Sequence, residues 1–286
     1  MRVFLISVQS SRVEVVGMRD TGSPRTKIVG RMILFSRKVT STNDWVRRIT
    51  SAKVPEGVVV VAETQTGGRG RLGRKWFSPK GGVWFSVLLK PKMKAAETAK
   101  LVFVASLAVA AALRESCGLN AETKWPNDVL VNGKKICGIL AEMKTHGEKV
   151  EYAIVGVGIN VNFKVQQALP TAVAINATSV EDELCKQVDC TDLLFTVLER
   201  LDRVYERFLK EGSNAVLGRW KELAGFLGHE VAVKIDSVTY TGTARDISSD
   251  GGLVLRLSDG SVREFRMGDV SLQMARPKVF GCHARV

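Results

Sequence analysis

The sequence predicts an α/β protein that ends in a small all-β domain, and three observations carry this prediction. Between residues 32 and 227, β-branched runs of strand length alternate with long segments whose apolar residues recur at helical spacing. A strand meander with an Asn-Gly turn lies in the middle of this region. After Gly228, short alternating strands are separated by Gly, Asp and Ser turns, which is typical of a small barrel or sandwich.

The first part of the chain predicts few elements. Residues 1–31 are interpreted as an N-terminal extension of unclear role, with a strand at Val3–Val8 and a loop at Asp20–Lys27. From Met32 the pattern becomes denser. Ser and Thr residues directly ahead of Trp45–Ile49 are N-cap signals for a helix. Three strands are predicted around this helix, at Ile33–Phe35, Val58–Ala62 and Val83–Leu89.

The central region predicts a long helix and then a meander. The helix is expected from Glu97 to Cys117, and Gly118 ends it because glycine readily adopts the left-handed backbone of a helix C-terminus. Asn132 and Gly133 accept the positive φ angles of a type I′ turn, so they predict a hairpin. The strands of the meander are expected at Val129–Val131, Lys135–Met143 and Tyr152–Val161.

Three helices and a second domain complete the prediction. The helices are expected at Val180–Cys185, Asp192–Lys210 and Asn214–Leu223, and the apolar stripe of the second one indicates a buried face. A domain boundary is placed near Gly225–Gly228. The four strands of the second domain are expected at Val231–Ile235, Thr239–Ile247, Leu253–Leu257 and Val262–Phe265. Residues 276–286 are expected to form a loose tail.

The composition indicates a globular protein that attracts anions. The chain has 286 residues, of which 45% are hydrophobic and 25% charged, and its formal net charge is +13. Basic residues, with no Asp or Glu among them, occur throughout the stretch from Thr64 to Ala96. Such a charge favours encounter with nucleotides, acidic protein surfaces or nucleic acid, although a run of like charges can also be a solvated face.

Cysteine use and hydropathy predict a cytoplasmic protein. The five cysteines are widely spread and fit neither a zinc site nor a disulfide framework, which favours reduced thiols. No stretch reaches the roughly 18 uninterrupted apolar residues that a membrane span needs. The apolar run Leu101–Leu113 is therefore interpreted as a buried helix, and no membrane partner is expected.

The segment Gly67–Trp76 is the most informative part of the chain. It holds four glycines and four basic residues in ten positions. Glycines let the backbone move and approach a ligand closely, and arginines match carboxylate and phosphate oxygens. The segment therefore predicts a loop that covers a small anionic ligand. Gly/Arg runs also occur in segments that bind nucleic acid without sequence preference, and this alternative stays open on the loop alone.

Four separated motifs occur together in this order. They read STND at 41–44, QTGGRGRLGRKWFSP at 65–79, KWPNDVLVNGKKICGILAE at 124–142 and GVGINVN at 156–162. The set resembles the biotin protein ligases over residues 33–275. The resemblance implies a catalytic domain at 32–227 with a mixed sheet flanked by helices, like that of class II aminoacyl-tRNA synthetases. It also implies an SH3-like barrel at 228–275.

The resemblance implies a two-step reaction. The carboxylate of biotin attacks the α-phosphate of ATP, and a lysine of a biotin carboxyl carrier protein then attacks the resulting biotinyl-5′-adenylate. The first step brings two anions together, so it needs cations that neutralise them. The implied catalytic residues are Arg69, Arg71 and Lys135, of which the two arginines close over the ligand. Mg²⁺ is expected to bridge phosphate oxygens.

The resemblance also assigns the two binding sites. The biotin site is implied to contain Ser41, Thr42, Gln65, Gly68, Arg69, Arg71, Lys135 and Gly138. The ATP site is implied to contain Arg71, Trp76, Asn127, Lys135 and Asn160. No protein ligand of the metal is assigned apart from Asn127, whose amide is also a candidate for a phosphate or metal contact.

Some members of this family repress transcription through an N-terminal winged helix-turn-helix domain. The stretch ahead of Ser41 is short and shows no helix pair, so we expect no specific nucleic-acid partner. A homodimer is expected because family members often pair through the sheet. Two alternatives are a lipoate or octanoate ligase, which shares the fold and chemistry, and a basic nucleic-acid-binding protein, which would not explain the KWPND motif.

Overall fold

The protein is described by a computed structural model. The described residues are 5–9, 12–16, 24–50, 54–266 and 268–272, with only the backbone described before residue 24 and at Leu272. The tail predicted at 276–286 lies outside these ranges.

A mixed nine-stranded sheet dominates the described part of the chain. Its strands are β1 (Leu5–Gln9), β2 (Arg12–Val16), β3 (Met32–Val39), β4 (Val58–Gln65), β5 (Val83–Leu89), β6 (Ala121–Lys124), β7 (Asp128–Val131), β8 (Lys134–His146) and β9 (Lys149–Ile159). They are arranged in the order β2-β1-β3-β4-β5-β9-β8-β7-β6. The β1–β3 and β3–β4 pairs are parallel and the remaining neighbours are antiparallel, which confirms the predicted mixed sheet.

Helices cover both faces of this sheet. They are α1 (Thr42–Ile49), α2 (Ala95–Thr98), α3 (Leu101–Cys117), α4 (Val165–Ala168), α5 (Thr171–Ala174), α6 (Val180–Leu184), α7 (Cys190–Glu211) and α8 (Ser213–Glu222). One face is covered by α1, whose Val46 is fully buried against strand residues such as Val58 and Leu88. The other face is covered by α3, which also packs against α7 and α8. Both faces of the large sheet are therefore packed.

The structure confirms the predicted buried helix and adjusts its start. The segment Ala95–Cys117 is apolar and long enough to cross a membrane, but 72% of its most apolar window is buried within the protein. It is divided into α2 and α3 at Ala99 and Lys100, and it ends at Gly118 with a φ of 66°. The long helix is thus the packed centre of the domain, because it lies between the sheet and two other helices.

The C-terminal domain is a five-stranded antiparallel sheet with its own apolar interior. Its strands are β10 (Glu230–Ile235), β11 (Val238–Ile247), β12 (Leu253–Leu257), β13 (Val262–Phe265) and β14 (Asp269–Leu272), in the order β13-β12-β11-β10-β14. Its buried side chains, such as Val233 and Phe265, are continuous with the core of the larger domain. Trp125 of the larger domain donates its indole N–H to the carbonyl of Gly251 at 2.9 Å. The small domain is therefore docked on the larger one.

Several short elements were not predicted from the sequence. They are β2, β6, β14, α4 and α5. The hairpin of β1 and β2 extends the edge of the large sheet next to β3, so part of the predicted N-terminal extension belongs to the sheet. The turn predicted at Asn132 and Gly133, between β7 and β8, is confirmed by φ angles of 51° and 74° at these two residues.

Candidate active site

A pocket of about 370 Å³ lies where the two domains meet. The start of α1, the end of β4, the loop after β4, the β6–β7 corner, the middle of β8 and β9, and β14 all contribute to its wall. Residues from all four sequence motifs line it, although they are far apart along the chain. The fold therefore brings the motifs together at one place.

One end of the pocket is lined by neutral hydrogen-bonding groups. Ser41 precedes α1, but its side chain makes no capping hydrogen bond, so its hydroxyl remains available to the pocket. The backbone N–H of Thr42 donates to Gln65 Oε1 at 2.8 Å, and the Thr42 hydroxyl lies 3.2 Å from the same oxygen. Gln65 Nε2 donates to Ser78 Oγ at 2.8 Å. These contacts hold the threonine and the glutamine side by side at the wall.

The loop Gly67–Trp76, which we call the flap, folds back on itself over the pocket. Trp76 N–H donates to the carbonyl of Gly68 at 2.9 Å, and Gly70 N–H donates to that of Arg74 at 2.7 Å. A Cβ at Gly68 would stand 2.5 Å from the Trp76 carbonyl oxygen. The two ends of the flap can therefore lie this close together only with glycine at this position. Leu72 at the tip is 77% exposed. Gly68 is buried at the base of the flap and is not among the residues that line the pocket.

Arg69 anchors the flap to the first turn of α1. Its guanidinium donates to both oxygens of Asp44, at 2.6 and 2.7 Å. The hydrogen bond from Arg69 is the main reason why the pKa of Asp44 lies below its ordinary value, and Arg47 adds to this effect. The arginine lines the pocket. In this arrangement Asp44 balances the positive charge of Arg69.

Two further flap arginines contact the C-terminal domain. Arg71 Nη1 donates to the carbonyl of Gly268 at 3.2 Å, and Arg74 forms an ion pair with Asp269. Burial lowers the pKa of Arg71, and the nearby carboxylates partly offset this effect. Both arginines line the pocket together with Asp269 and Val270 of β14. The flap therefore lies between the two domains, which the sequence analysis did not predict.

Trp76 occupies a recess made by two glycines of the sheet. A Cβ at Gly158 would stand 2.4 Å from the indole nitrogen, and one at Gly138 would stand 3.0 Å from Cζ3 of the ring. The ammonium of Lys135 lies 5.3 Å from the ring centroid, within the range of a cation–π interaction. The indole N–H is buried and has no hydrogen-bond partner among the described residues. A ligand that enters the pocket can supply an acceptor for it.

Lys135 and Lys124 place two ammonium groups beside one carboxylate. Lys135 Nζ lies 2.6 Å from Asp128 Oδ1, as an ion pair whose geometry falls outside that of a hydrogen bond. Burial lowers the pKa of Lys124, while Asp128 raises it and Lys135 lowers it further. All three side chains line the pocket. This cluster is suited to an additional anion, because a phosphate or carboxylate would offset the cost of burying the second ammonium group.

The two asparagines assigned to the ATP site are placed differently. Asn127 lines the pocket, and its Nδ2 donates to the carbonyl of Ile139 at 2.5 Å, which leaves Oδ1 for other partners. Asn160 is 2% exposed, and its Nδ2 donates to the carbonyl of Thr178 at 2.9 Å. Asn160 is not among the lining residues and holds the segment after β9. Its assignment to ATP stays a prediction, as do the ligand contacts of the other site residues.

The charges of the pocket favour a ligand with several negative charges. Its lining contains six cationic side chains, namely Arg69, Arg71, Arg74, Lys75, Lys124 and Lys135, and two carboxylates, Asp128 and Asp269. Such an arrangement can hold a carboxylate and a phosphate close to each other and lower their repulsion. The neutral end formed by Ser41, Thr42 and Gln65 can bind an uncharged polar head group. The pocket can therefore join an acid with a polar head group to a nucleotide.

Fold and site together define an ATP-dependent ligase of the biotin and lipoate ligase class. Residues 35–160 match the biotin/lipoate A/B protein ligase family, and residues 226–273 match the biotin protein ligase C terminal domain. The bifunctional ligase/repressor BirA of Bacillus subtilis is 31% identical over 249 residues, which are 87% of this chain and 76% of that protein. The biotin–[acetyl-CoA-carboxylase] ligase of Paracoccus denitrificans is 33% identical over 69% of this chain and 83% of its own length.

Solved structures show the same likeness. The biotin protein ligase from Aquifex aeolicus in complex with biotin and ATP has a TM-score of 0.73 and 32% identity, over 85% of this chain and 99% of that one. The Leishmania major enzyme in complex with biotinyl-5-AMP has a TM-score of 0.57 and 27% identity, over 82% and 98%. This chain belongs to the biotin protein ligase family. The predicted fold, with a synthetase-like domain and an SH3-like C-terminal domain, is confirmed.

Proposed function

We propose that this protein activates biotin with ATP to biotinyl-5′-adenylate and then transfers biotin to a lysine of a biotin carboxyl carrier protein. The observation that carries this proposal is the continuity of the pocket, which joins the neutral groups around Thr42 to the cations around Lys135. Relatives with 32% and 27% identity are described as complexes with biotin and ATP and with biotinyl-5-AMP. Biotin would bind at the neutral end of this pocket and ATP at the cationic end.

Biotin would bind with its ureido ring at the neutral end. The ring offers two N–H donors and one carbonyl acceptor, and the side chains of Ser41, Thr42 and Gln65 carry groups of both kinds. The apolar side chains of Ile139, Leu140 and Val157 line the pocket from β8 and β9. They would pack against the thiophane ring and the valeryl chain.

The first step would take place among the cations. Two unit charges about 4 Å apart repel by about 4 kcal/mol at an effective dielectric constant near 20, so each placed cation lowers the barrier noticeably. Arg69 and Arg71 reach the pocket from the flap, and Lys135 reaches it from β8. They would hold the carboxylate against the α-phosphate and stabilise the charge that develops on the phosphate oxygens. Pyrophosphate would leave, and the mixed anhydride would remain under the flap.

Magnesium would be held at this site mainly by ATP. Among the described residues, no three His, Cys, Asp or Glu side chains are grouped to hold a metal by themselves. Asn127 Oδ1 and an oxygen of Asp128 are hard ligands at the cationic end of the pocket. Mg²⁺ commonly uses one or two such ligands together with phosphates and water. When bound, it would neutralise phosphate charge.

The second step requires no nucleophile from this protein, because the attacking amine belongs to the carrier. Cys137 lies close to the cluster but is fully buried, and burial raises the pKa of its thiol far above neutral pH. A thiol in this state does not act as a nucleophile. Attack by the carrier lysine on the carbonyl carbon of the anhydride would form the amide and release AMP.

The proposed reaction is tested by a mass-spectrometric assay for the ATP-dependent addition of biotin to a carrier domain, with lipoate in a parallel reaction. We expect addition of biotin, and we expect Lys135→Met to abolish it. Lys210→Met changes an exposed lysine of α7 and serves as the matched control. Addition of lipoate without addition of biotin would assign the chain to the other branch of the class.

We further propose a homodimer that forms through the large sheet. β7 pairs with β8 only as far as Gly138, so the rest of β8, up to His146, presents an edge without a strand partner among the described residues. An edge of this kind is suited to pairing with a second copy. Sedimentation at increasing protein concentration tests this proposal. The cytoplasmic location and the absence of operator binding stay predictions from the sequence.

A further inference from the structure

The hydroxyl of Thr42 is the end of a chain of hydrogen bonds that begins at the partly exposed Glu142 and passes through the core. Glu142 Oε2 accepts from Asn43 Nδ2 at 2.7 Å. Asn43 Oδ1 lies 2.5 Å from Ser86 Oγ, and Ser86 Oγ lies 2.6 Å from Thr42 Oγ1. Ser86 is fully buried in the middle of β5, whereas Thr42 lines the pocket. The chain therefore runs from β8 through the core to the pocket wall.

Proton counting fixes the direction of every bond in this chain. The carboxylate of Glu142 can only accept, so Asn43 must present its NH₂ to it and its carbonyl oxygen to Ser86. An amide oxygen cannot donate, and therefore the short contact between Asn43 and Ser86 requires the single proton of Ser86. The contact between Ser86 Oγ and Thr42 Oγ1 at 2.6 Å then requires the proton of Thr42, whose other acceptor, Gln65 Oε1, lies farther away at 3.2 Å.

The amide of Asn43 is closely packed against the sheet. A Cβ at Gly156 would stand 2.3 Å from Asn43 Oδ1, so the sheet is open at this point for the asparagine. Gly156 lies opposite Ser86 in the β5–β9 ladder. On the far side, Glu142 Oε1 is paired with Arg47 Nη2 at 2.9 Å, which holds the carboxylate in position. The donor and acceptor ends of Asn43 are thus fixed by three neighbouring elements.

We propose that Glu142, Asn43 and Ser86 are positioning residues that turn the proton of Thr42 inwards and so make Thr42 a hydrogen-bond acceptor towards the pocket. The inference rests on the proposed function, because the group recognised there is the ureido ring of biotin. An inward proton leaves only lone pairs of Thr42 Oγ1 for a ligand. The pocket then selects a head group with an N–H at this position and rejects one with an acceptor there.

The pocket is selective because a ligand acceptor that faced the lone pairs of Thr42 Oγ1 would form no hydrogen bond. For Thr42 to donate to a ligand, its proton must leave Ser86, and either this contact or the one between Ser86 and Asn43 loses its hydrogen bond. A buried polar group without a partner is costly, and the penalty corresponds to roughly a 10- to 100-fold loss of affinity. Gln65 Oε1, which already accepts from the backbone N–H of Thr42, lies 3.2 Å from the Thr42 hydroxyl, and a proton turned to it would also leave Ser86.

The test compares biotin with its two cyclic-carbamate analogues, in which one or the other ureido N–H is replaced by oxygen. In the wild-type protein we expect one analogue to bind roughly 10- to 100-fold more weakly than biotin because its oxygen faces Thr42. In Ser86→Ala the Thr42 proton is released, and we expect this ratio to fall by about tenfold while biotin itself binds about three- to tenfold more weakly.

A matched control is available in the same protein. Ser106 is another fully buried serine, in α3, and its hydroxyl donates to the Val102 carbonyl and accepts from Trp220. Ser106→Ala removes the same atoms without reaching the pocket. We expect it to lower the melting temperature as Ser86→Ala does and to leave the ratio of the two affinities unchanged.

A double-mutant cycle separates the proposed role from a merely structural one. If Ser86 acts through Thr42, Ser86→Ala should have almost no further effect on biotin affinity in a Thr42→Val background. Additive effects of the two changes would overturn the inference, and so would an unchanged affinity ratio in Ser86→Ala. If the wild-type protein bound no biotin at all, the inference would be overturned together with the proposed function, whereas tight biotin binding with an unchanged ratio would overturn the inference alone.

Discussion

The indole of Trp76 lies against Gly158, at a distance that leaves no room for a side chain at this position of β9. A Cβ there would stand 2.4 Å from the indole nitrogen. Because the neighbouring atoms belong to a backbone strand and a large ring, the clash can be relieved only when the ring moves. The flap ends at Trp76, so the position of the ring also sets how the flap leaves the sheet.

We therefore predict that Gly158→Ala displaces the indole and weakens ATP binding, because an extra methyl group in a tightly packed site typically costs about 1–3 kcal/mol. Calorimetric titration with ATP measures the change. Gly218→Ala in α8 is the matched control, since a Cβ meets no atom there and alanine favours the helix. Unchanged ATP affinity in Gly158→Ala would show that the indole takes no part in nucleotide binding.

Arg71→Ala is expected to shorten the lifetime of the bound adenylate while the fold stays intact. Arg71 contacts the carbonyl of Gly268 but otherwise faces the pocket, so its loss removes a cation above the ligand rather than a core contact. Rapid gel filtration after adenylate formation measures how much product escapes. Arg219→Ala, at an exposed ion pair with Glu222, is the control. A large fall in the melting temperature of ligand-free Arg71→Ala would contradict this account.

The ion pair between Arg74 and Asp269 is expected to help keep the flap closed. Both side chains are partly exposed, at 64% and 36%, so the pair should contribute no more than about 1 kcal/mol. We predict that Asp269→Arg accelerates adenylate release several-fold and that adding Arg74→Asp restores part of the retention. Stopped-flow measurement of the release rate compares the variants. Equal rates in the single and the double variant would exclude a direct role of the pair.

The lowered pKa of Lys124 leads us to predict that nucleotide binding depends on pH. Burial lowers the pKa of its ammonium group, and a bound phosphate would raise that pKa again. ATP binding should therefore take up protons in the pH range between the two values, and ATP affinity should fall as the pH rises through the lowered pKa. In the absence of ligand, the unfolded chain holds this proton more tightly, so the free energy of unfolding should rise with pH over the corresponding range.

Titrations of ATP between neutral and alkaline pH check this prediction. Lys124→Met should bind ATP more weakly at neutral pH and should lose the part of the pH dependence that comes from this group. Lys210→Met should retain the wild-type profile. A wild-type profile without any slope between neutral pH and pH about 10, where an unperturbed lysine is still charged, would contradict the lowered pKa.

The sequence predicted which residues gather at the pocket better than it predicted the connections between them. Arg69, Arg71 and Lys135 belong to local motifs, and the strand pattern around them was correct, so the fold brings them to one pocket as expected. Gly68 and Asn160 belong to the same motifs, but in this structure they support the flap and the segment after β9. A motif shows which residues occur together and does not show which of them face the ligand.

The connections that were missed join residues far apart in the chain. Asp269 and Gly268 meet the flap across almost 200 positions, and β14 is too short to give a clear strand pattern. Ser86 reads as an ordinary polar residue inside a buried strand, and its partner Asn43 reads as part of a helix start. Only the pairing of β5 with β9, in which Gly156 lies opposite Ser86, shows why a chain of hydrogen bonds passes through the core at this point.

The most direct test is the formation of the mixed anhydride. Purified protein would be mixed with biotin, ATP and Mg²⁺ without a carrier, and the protein-bound products would be separated and identified by mass spectrometry. We expect one biotinyl-5′-adenylate for each active site, together with the release of pyrophosphate, and no such product when any one reactant is left out. If both substrates and magnesium gave neither the adenylate nor pyrophosphate, the proposed reaction would be wrong.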